Sequence, residues 1–161
     1  MGEIIKVGIA DLKVCRAPDQ ITTIGLGSCV GIVLYNTLND ICGLVHIMLP
    51  SSTGIKNNEN RAKFADTGIE DLIHALERVG VMRQSLIAKI AGGATMFQFT
   101  GKSDMGSIGD RNVKAVKDVL KAYNIRIVSE DTGADYGRTI LFDPVSKKLL
   151  IRSAGKAEKS I

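Results

Sequence analysis

Apolar residues recur at helical spacing in only two stretches of this chain. Ala65, Ile69, Leu72, Ile73 and Leu76 form one stripe, stopped by Gly80, and His74 falls on its water-facing side. Val113, Val116, Leu120 and Tyr123 form the other, which ends at Asn124. Elsewhere the apolar residues fall in short runs, at 4–9, 21–24, 30–35, 42–48, 85–90, 125–129, 138–142 and 148–152, with Gly, Pro, Asn and Asp between them. Asp143-Pro144-Val145-Ser146 predicts a hairpin joining the last two. Strands outnumber helices, and only 85–90 and 125–129 follow a helix. The expected class is α+β with mixed or antiparallel sheets.

With 161 residues, 45% of them hydrophobic, the chain can fill one core. No repeat or linker divides it, so 1–155 reads as a single domain and 156–161 as a flexible C-terminal tail. No run approaches the roughly 18 apolar residues needed to cross a bilayer, and the first residues do not resemble a signal peptide. Three cysteines without an export signal are expected as free thiols in the cytoplasm. The net charge of +4 is scattered and aromatics are 4%, too few for a nucleic-acid stacking platform.

Chemistry concentrates in Thr23-Ile24-Gly25-Leu26-Gly27-Ser28-Cys29-Val30-Gly31. Three glycines within seven residues make the backbone turn sharply around Cys29 and leave main-chain N–H groups open to a ligand. Such donors beside a thiol are what an oxyanion hole requires, with Gly27 and Ser28 as the candidates. In Ile41–Pro50, read as a strand, Cys42, Leu44, His46 and Met48 share one face. An imidazole among apolar groups is desolvated and favours its neutral form, so His46 can serve a thiol as base. On residue type alone two readings stand: Cys29 and His46 as a reactive pair, or as a buried inert thiol and a satisfied core histidine. Cys15 and Cys42 lack a glycine frame and read as structural.

Two other uses of these residues are disfavoured. Gly25, Gly27 and Gly31 imitate a dinucleotide loop, but the β-branched run 30–35 does not open a helix and no acidic residue follows at the required distance. A zinc site from Cys15, Cys29, Cys42 and His46 conflicts with a strand, on which Cys42 and His46 stand roughly 13 Å apart, against metal bonds of about 2.0–2.3 Å. No metal or cofactor is expected.

Several linked segments resemble the chemoreceptor glutamine deamidase family, CheD. They are Thr23 with Leu26-Gly27-Ser28-Cys29-Val30, Gly43 through Pro50, Phe64-Ala65-Asp66, Lys89 through Phe97, Ile108 through Asn112, and Glu130-Asp131-Thr132-Gly133. The resemblance implies an α/β/β layered sandwich similar to bacterial toxin deamidase domains. It also implies hydrolysis of glutamine side chains on chemoreceptor cytoplasmic domains in chemotaxis, with Cys29 as nucleophile, His46 as its base and Thr23 orienting the imidazole. A CheC phosphatase is the implied regulator, and neither membrane insertion nor nucleic acid is implied. Receptor methyl esters could pass through the same thioester. The competing class is a non-catalytic module that regulates a phosphatase partner. Asp131, Arg138 and the Asp110-Arg111-Asn112 cluster read as turn and salt-bridge residues.

Overall fold

The computed structural model describes residues 2–96 and 107–161; Phe97, the last residue of one family-like segment, lies outside them. Ten strands and two α-helices follow one another among these residues. The strands are β1 (Ile4–Val7), β2 (Leu12–Arg16), β3 (Gln20–Leu26), β4 (Val30–Tyr35), β5 (Ile41–Ile47), β6 (Ile87–Gly92), β7 (Arg126–Thr132), β8 (Arg138–Asp143), β9 (Lys148–Arg152) and β10 (Lys159–Ser160). Helix α1 (Ala65–Arg78) separates β5 from β6, and α2 (Ile108–Ala122) separates β6 from β7.

Two five-stranded sheets result, ordered β1-β3-β8-β9-β10 and β2-β5-β4-β6-β7. Both are mixed: β1 runs parallel to β3 and β6 parallel to β7, while the other pairs are antiparallel. The second sheet is buried on both faces, as the β4 run Val-Gly-Ile-Val-Leu-Tyr requires, and strand alternation sorts its side chains. Val30, Ile32 and Leu34 meet Ile69, Leu72, Ile73 and Leu76 of α1 and Val116 and Leu120 of α2. Val33 and Tyr35 turn the other way, onto Ile21, Ile140, Phe142, Leu149 and Ile151 of the first sheet. The order of layers is therefore helices, sheet, sheet. Each fully buried Leu or Ile on α1 contributes about 1.5–3 kcal/mol over its exposed state.

The helix ends follow local chemistry. The Ser107 hydroxyl accepts from the Asp110 N–H at the start of α2, and Asn124 takes a left-handed φ of 59° just past its end. Where structure and expectation differ, edges are the reason. β2 was not expected: Asp11, Lys13 and Arg16 dilute its apolar signal, which an edge strand tolerates. Residues 156–161, expected as a flexible tail, carry β10, and Ile161 exchanges two 2.9 Å backbone bonds with Leu149. His74 is half-buried rather than turned fully to water.

Candidate active site

Thr23 and His46 touch in the layer between the sheets, and Cys29 packs against the hydrophobic cluster of the same layer. β3 carries a bulge at Ile24 and Gly25: Thr23 pairs with Ile140 and Leu26 with Arg138, so two residues oppose one. Gly25 supplies the positive φ of 80°. The bulge resets the alternation so that Thr23 and Leu26 both face inward, a common use of bulges beside reactive groups.

In the other sheet, Gly31 lies directly across from His46 in the β4–β5 ladder. A Cβ at Gly31 would stand 2.9 Å from Ile140 Cδ1 and 3.2 Å from Leu26 Cδ1 of the facing sheet, so both side-chain ends would have to shift to admit one. Cys29 lies in the bend just before β4. It packs partly buried against the inter-sheet cluster.

The imidazole's tautomer is set from outside the ring. The Thr23 hydroxyl donates to the Val7 carbonyl at 2.7 Å and lies 2.7 Å from His46 Nδ1. A hydroxyl has one proton, so towards the ring it can only accept, and Nδ1 carries the hydrogen. Nε2 is then a bare lone pair, buried and without a partner among the described residues. Burial pushes His46 down to about 4, so the ring is neutral at pH 7. Burial also raises the Cys29 thiol, and a hydrogen bond from its own backbone pulls less strongly the other way. The resting pair is a thiol and a neutral imidazole.

Backbone donors frame the sulfur. The Gly27 N–H, expected as an oxyanion donor, is engaged with the Gly25 carbonyl at 3.1 Å, within the turn that the bulge begins. Among the described residues, the Ser28 N–H has no acceptor and the Cys29 N–H has only its own sulfur. The carbonyls point the opposite way: Gly27 O accepts from Ala94 N at 2.9 Å and Cys29 O from Gly93 N at 2.8 Å. Gly92, at φ 115°, could not be otherwise, since a Cβ would collide with the Cys29 carbonyl.

Residues 48–153 match the family model described as CheD chemotactic sensory transduction. The chain belongs to the CheD family. That match starts just beyond His46, but relatives align along the whole chain. "Probable chemoreceptor glutamine deamidase CheD" of Lachnoclostridium phytofermentans is 59% identical over 161 residues, covering 100% of both chains. "Chemoreceptor glutamine deamidase CheD" of Bacillus subtilis is 52% identical over 159 residues, 98% of this chain and 96% of its own. The protein of the same name from Halalkalibacterium halodurans is 51% identical over 162 residues, with 100% of each covered.

In this CheD chain the remaining singled-out residues separate cleanly. Cys15 and Cys42 oppose each other on β2 and β5 inside the core; the Cys42 thiol, hydrogen-bonded to Cys15 and buried, is held protonated. Arg138 and Asp131 form a 2.9 Å ion pair, with the arginine side chain only 1% exposed, and Arg138 also donates to the Gly133 carbonyl at 2.9 Å. Asn112, expected as a turn or salt-bridge residue, is instead wholly buried in α2 beside the Cys29 loop. One signal could have found it. Asn112 stands four residues before Val116 and eight before Leu120, which puts an amide in the apolar stripe of α2.

Proposed function

We propose that this protein is a cysteine-dependent hydrolase that converts selected glutamine side chains of chemoreceptors to glutamate in chemotactic adaptation. The observation that carries the reading is the fixed His46 tautomer, whose bare Nε2 lies buried and unpartnered in the inter-sheet layer against which Cys29 also packs. A base with that lone pair can take a thiol proton only when a substrate arrives, because the resting thiol and imidazole are both neutral.

In this reading the Cys29 sulfur attacks the glutamine Cδ while its proton passes to His46 Nε2. The carbonyl becomes an oxyanion held by the Ser28 and Cys29 N–H groups. Imidazolium then protonates the departing nitrogen, ammonia leaves, and a thioester to Cys29 remains. Water attacks the thioester as His46 accepts its proton. Collapse expels the sulfur, which recovers a proton, and the product is glutamate. Thr23 accepts from Nδ1–H throughout, keeping the ring in register as the third member of other triads does. A hydroxyl stabilises imidazolium less than a carboxylate would, so turnover is modest.

The finer reading places the reaction in the cytoplasm, where the receptor domain that would be its substrate lies, under control of a CheC-type phosphatase. Among the described residues no helix is long and apolar enough to cross a membrane. The test is peptide mass spectrometry of a receptor cytoplasmic fragment incubated with wild type, Cys29→Ala and His46→Ala. Conversion of particular glutamines by wild type alone supports the proposal. Unchanged fragment with all three, while a phosphatase partner still binds, would establish the non-catalytic module instead.

A further inference from the structure

Asparagine is a poor choice for a helix interior, and an amide without partners is unfavourable inside a protein. Asn112 is nonetheless wholly buried in α2. Its side chain spends both Nδ2 protons on backbone outside the helix: one on the Ser28 carbonyl at 2.9 Å, the other on the Met48 carbonyl at 2.9 Å. Neither carbonyl has another donor among the described residues. Ser28 leads into Cys29, and Met48 follows His46 by two residues. One side chain therefore bridges the two segments that carry the nucleophile and the base.

The consequence lies in the peptide plane. In a trans peptide the C=O and the following N–H point in opposite directions. Holding Gly27 O on Ala94 N directs the Ser28 N–H away from Ala94, and holding Ser28 O on Asn112 directs the Cys29 N–H away from α2. The first anchor is backbone; the second is a side chain, and without it the Ser28 carbonyl has no partner among the described residues. The helix that supplies the amide is itself pressed onto the site. A Cβ at Gly109 would stand 2.6 Å from the Gly93 carbonyl, so α2 and the 92–94 segment meet backbone to backbone.

We propose that Asn112 is a positioning residue that locks the Ser28–Cys29 peptide so that the Cys29 N–H faces the developing oxyanion. The inference rests on the cysteine mechanism above. It needs no contact between Asn112 and substrate.

The test compares wild type, Cys29→Ala, Asn112→Ala and Asn112→Ser on a receptor cytoplasmic fragment, at a temperature where circular dichroism shows each protein fully folded. Loss of one oxyanion donor lowers kcat by about 10²-fold, and here KM stays within about twofold. Iodoacetamide alkylation of Cys29, which displaces iodide and forms no oxyanion, also stays within about twofold of wild type. A kcat within about threefold of wild type in either folded Asn112 variant overturns the proposal. So does an equal fall in alkylation, which would mean general disorder of the loop. Failure of both variants to fold overturns it too, by assigning the amide to the fold rather than the site. If Cys29→Ala itself retains deamidation, the cysteine mechanism is what has failed; if it is inactive while the Asn112 variants match wild type, only this inference falls.

Discussion

The Thr23 hydroxyl accepts a hydrogen bond from His46 Nδ1 because its own proton is already committed to the Val7 carbonyl, both at 2.7 Å. Removing the hydroxyl while keeping the shape, as in Thr23→Val, leaves Nδ1–H and Val7 O unpaired and lets the ring change tautomer. Deamidation is expected to fall by about 10²-fold, the lower range for a displaced general base, and Thr23→Ser is expected to restore most of it. Steady-state rates on a receptor fragment decide; a Thr23→Val enzyme at wild-type rate would remove Thr23 from the mechanism.

Burial of a neutral His46 makes stability depend on pH in a defined window. The folded ring titrates at about 4 and the ordinary value is 6.5, so between these the unfolded chain binds the extra proton. Stability is complete above pH 6.5 and is lost as pH falls towards 4, by about 3 kcal/mol in all. Denaturant unfolding of wild type and His46→Gln across that range should show the difference between them closing by this amount. A pH-independent difference would contradict a buried neutral ring. For the same reason the acid limb of kcat/KM is expected well below 6.5.

A thiol raised by burial is alkylated through its small thiolate fraction. The rate of Cys29 modification by iodoacetamide in the free enzyme should therefore climb about tenfold per pH step of one and show no plateau below its ordinary range. Peptide mapping over a pH series measures it. A plateau near neutrality would reveal a preformed ion pair.

Gly92 and Gly54 both have positive φ, at 115° and 81°, but only Gly92 lies against the Cys29 carbonyl, whereas no heavy atom lies within 4 Å of where a Gly54 Cβ would be. Gly54→Ala is expected to cost about 1 kcal/mol of strain with activity retained. Gly92→Ala is expected to add displacement of the Cys29 loop, costing at least about 2 kcal/mol and about 10²-fold in rate. Paired melting and activity measurements separate the two.

The α+β class was legible because short apolar runs outnumber the two helical stripes. The layering came instead from the family resemblance, since a sheet apolar on both faces can also lie between two layers of helices. The shared face of Cys42, Leu44 and His46 followed from period-two alternation, while Met48, expected on the same face, lies beyond the end of β5. What escaped was whatever depends on long-range backbone pairing. β2 is recognisable only beside β5, and β10 only beside β9. The occupied Gly27 N–H required knowing that Gly25 turns in a bulge, and the buried role of Asn112 required knowing which carbonyls α2 would meet. Spacing along a chain constrains a side chain's face; it does not say which peptide groups need a partner.

The protonated state of Cys29 reaches beyond turnover. Peroxides oxidise thiolates, and the resulting sulfenic acid would silence a nucleophilic cysteine until reductants repaired it. In the proposed mechanism Cys29 becomes a thiolate only when substrate and His46 act together, and so would spend little time in the oxidisable form. On that mechanism the protein is expected to lose less activity to peroxide than an enzyme with a standing thiolate–imidazolium pair.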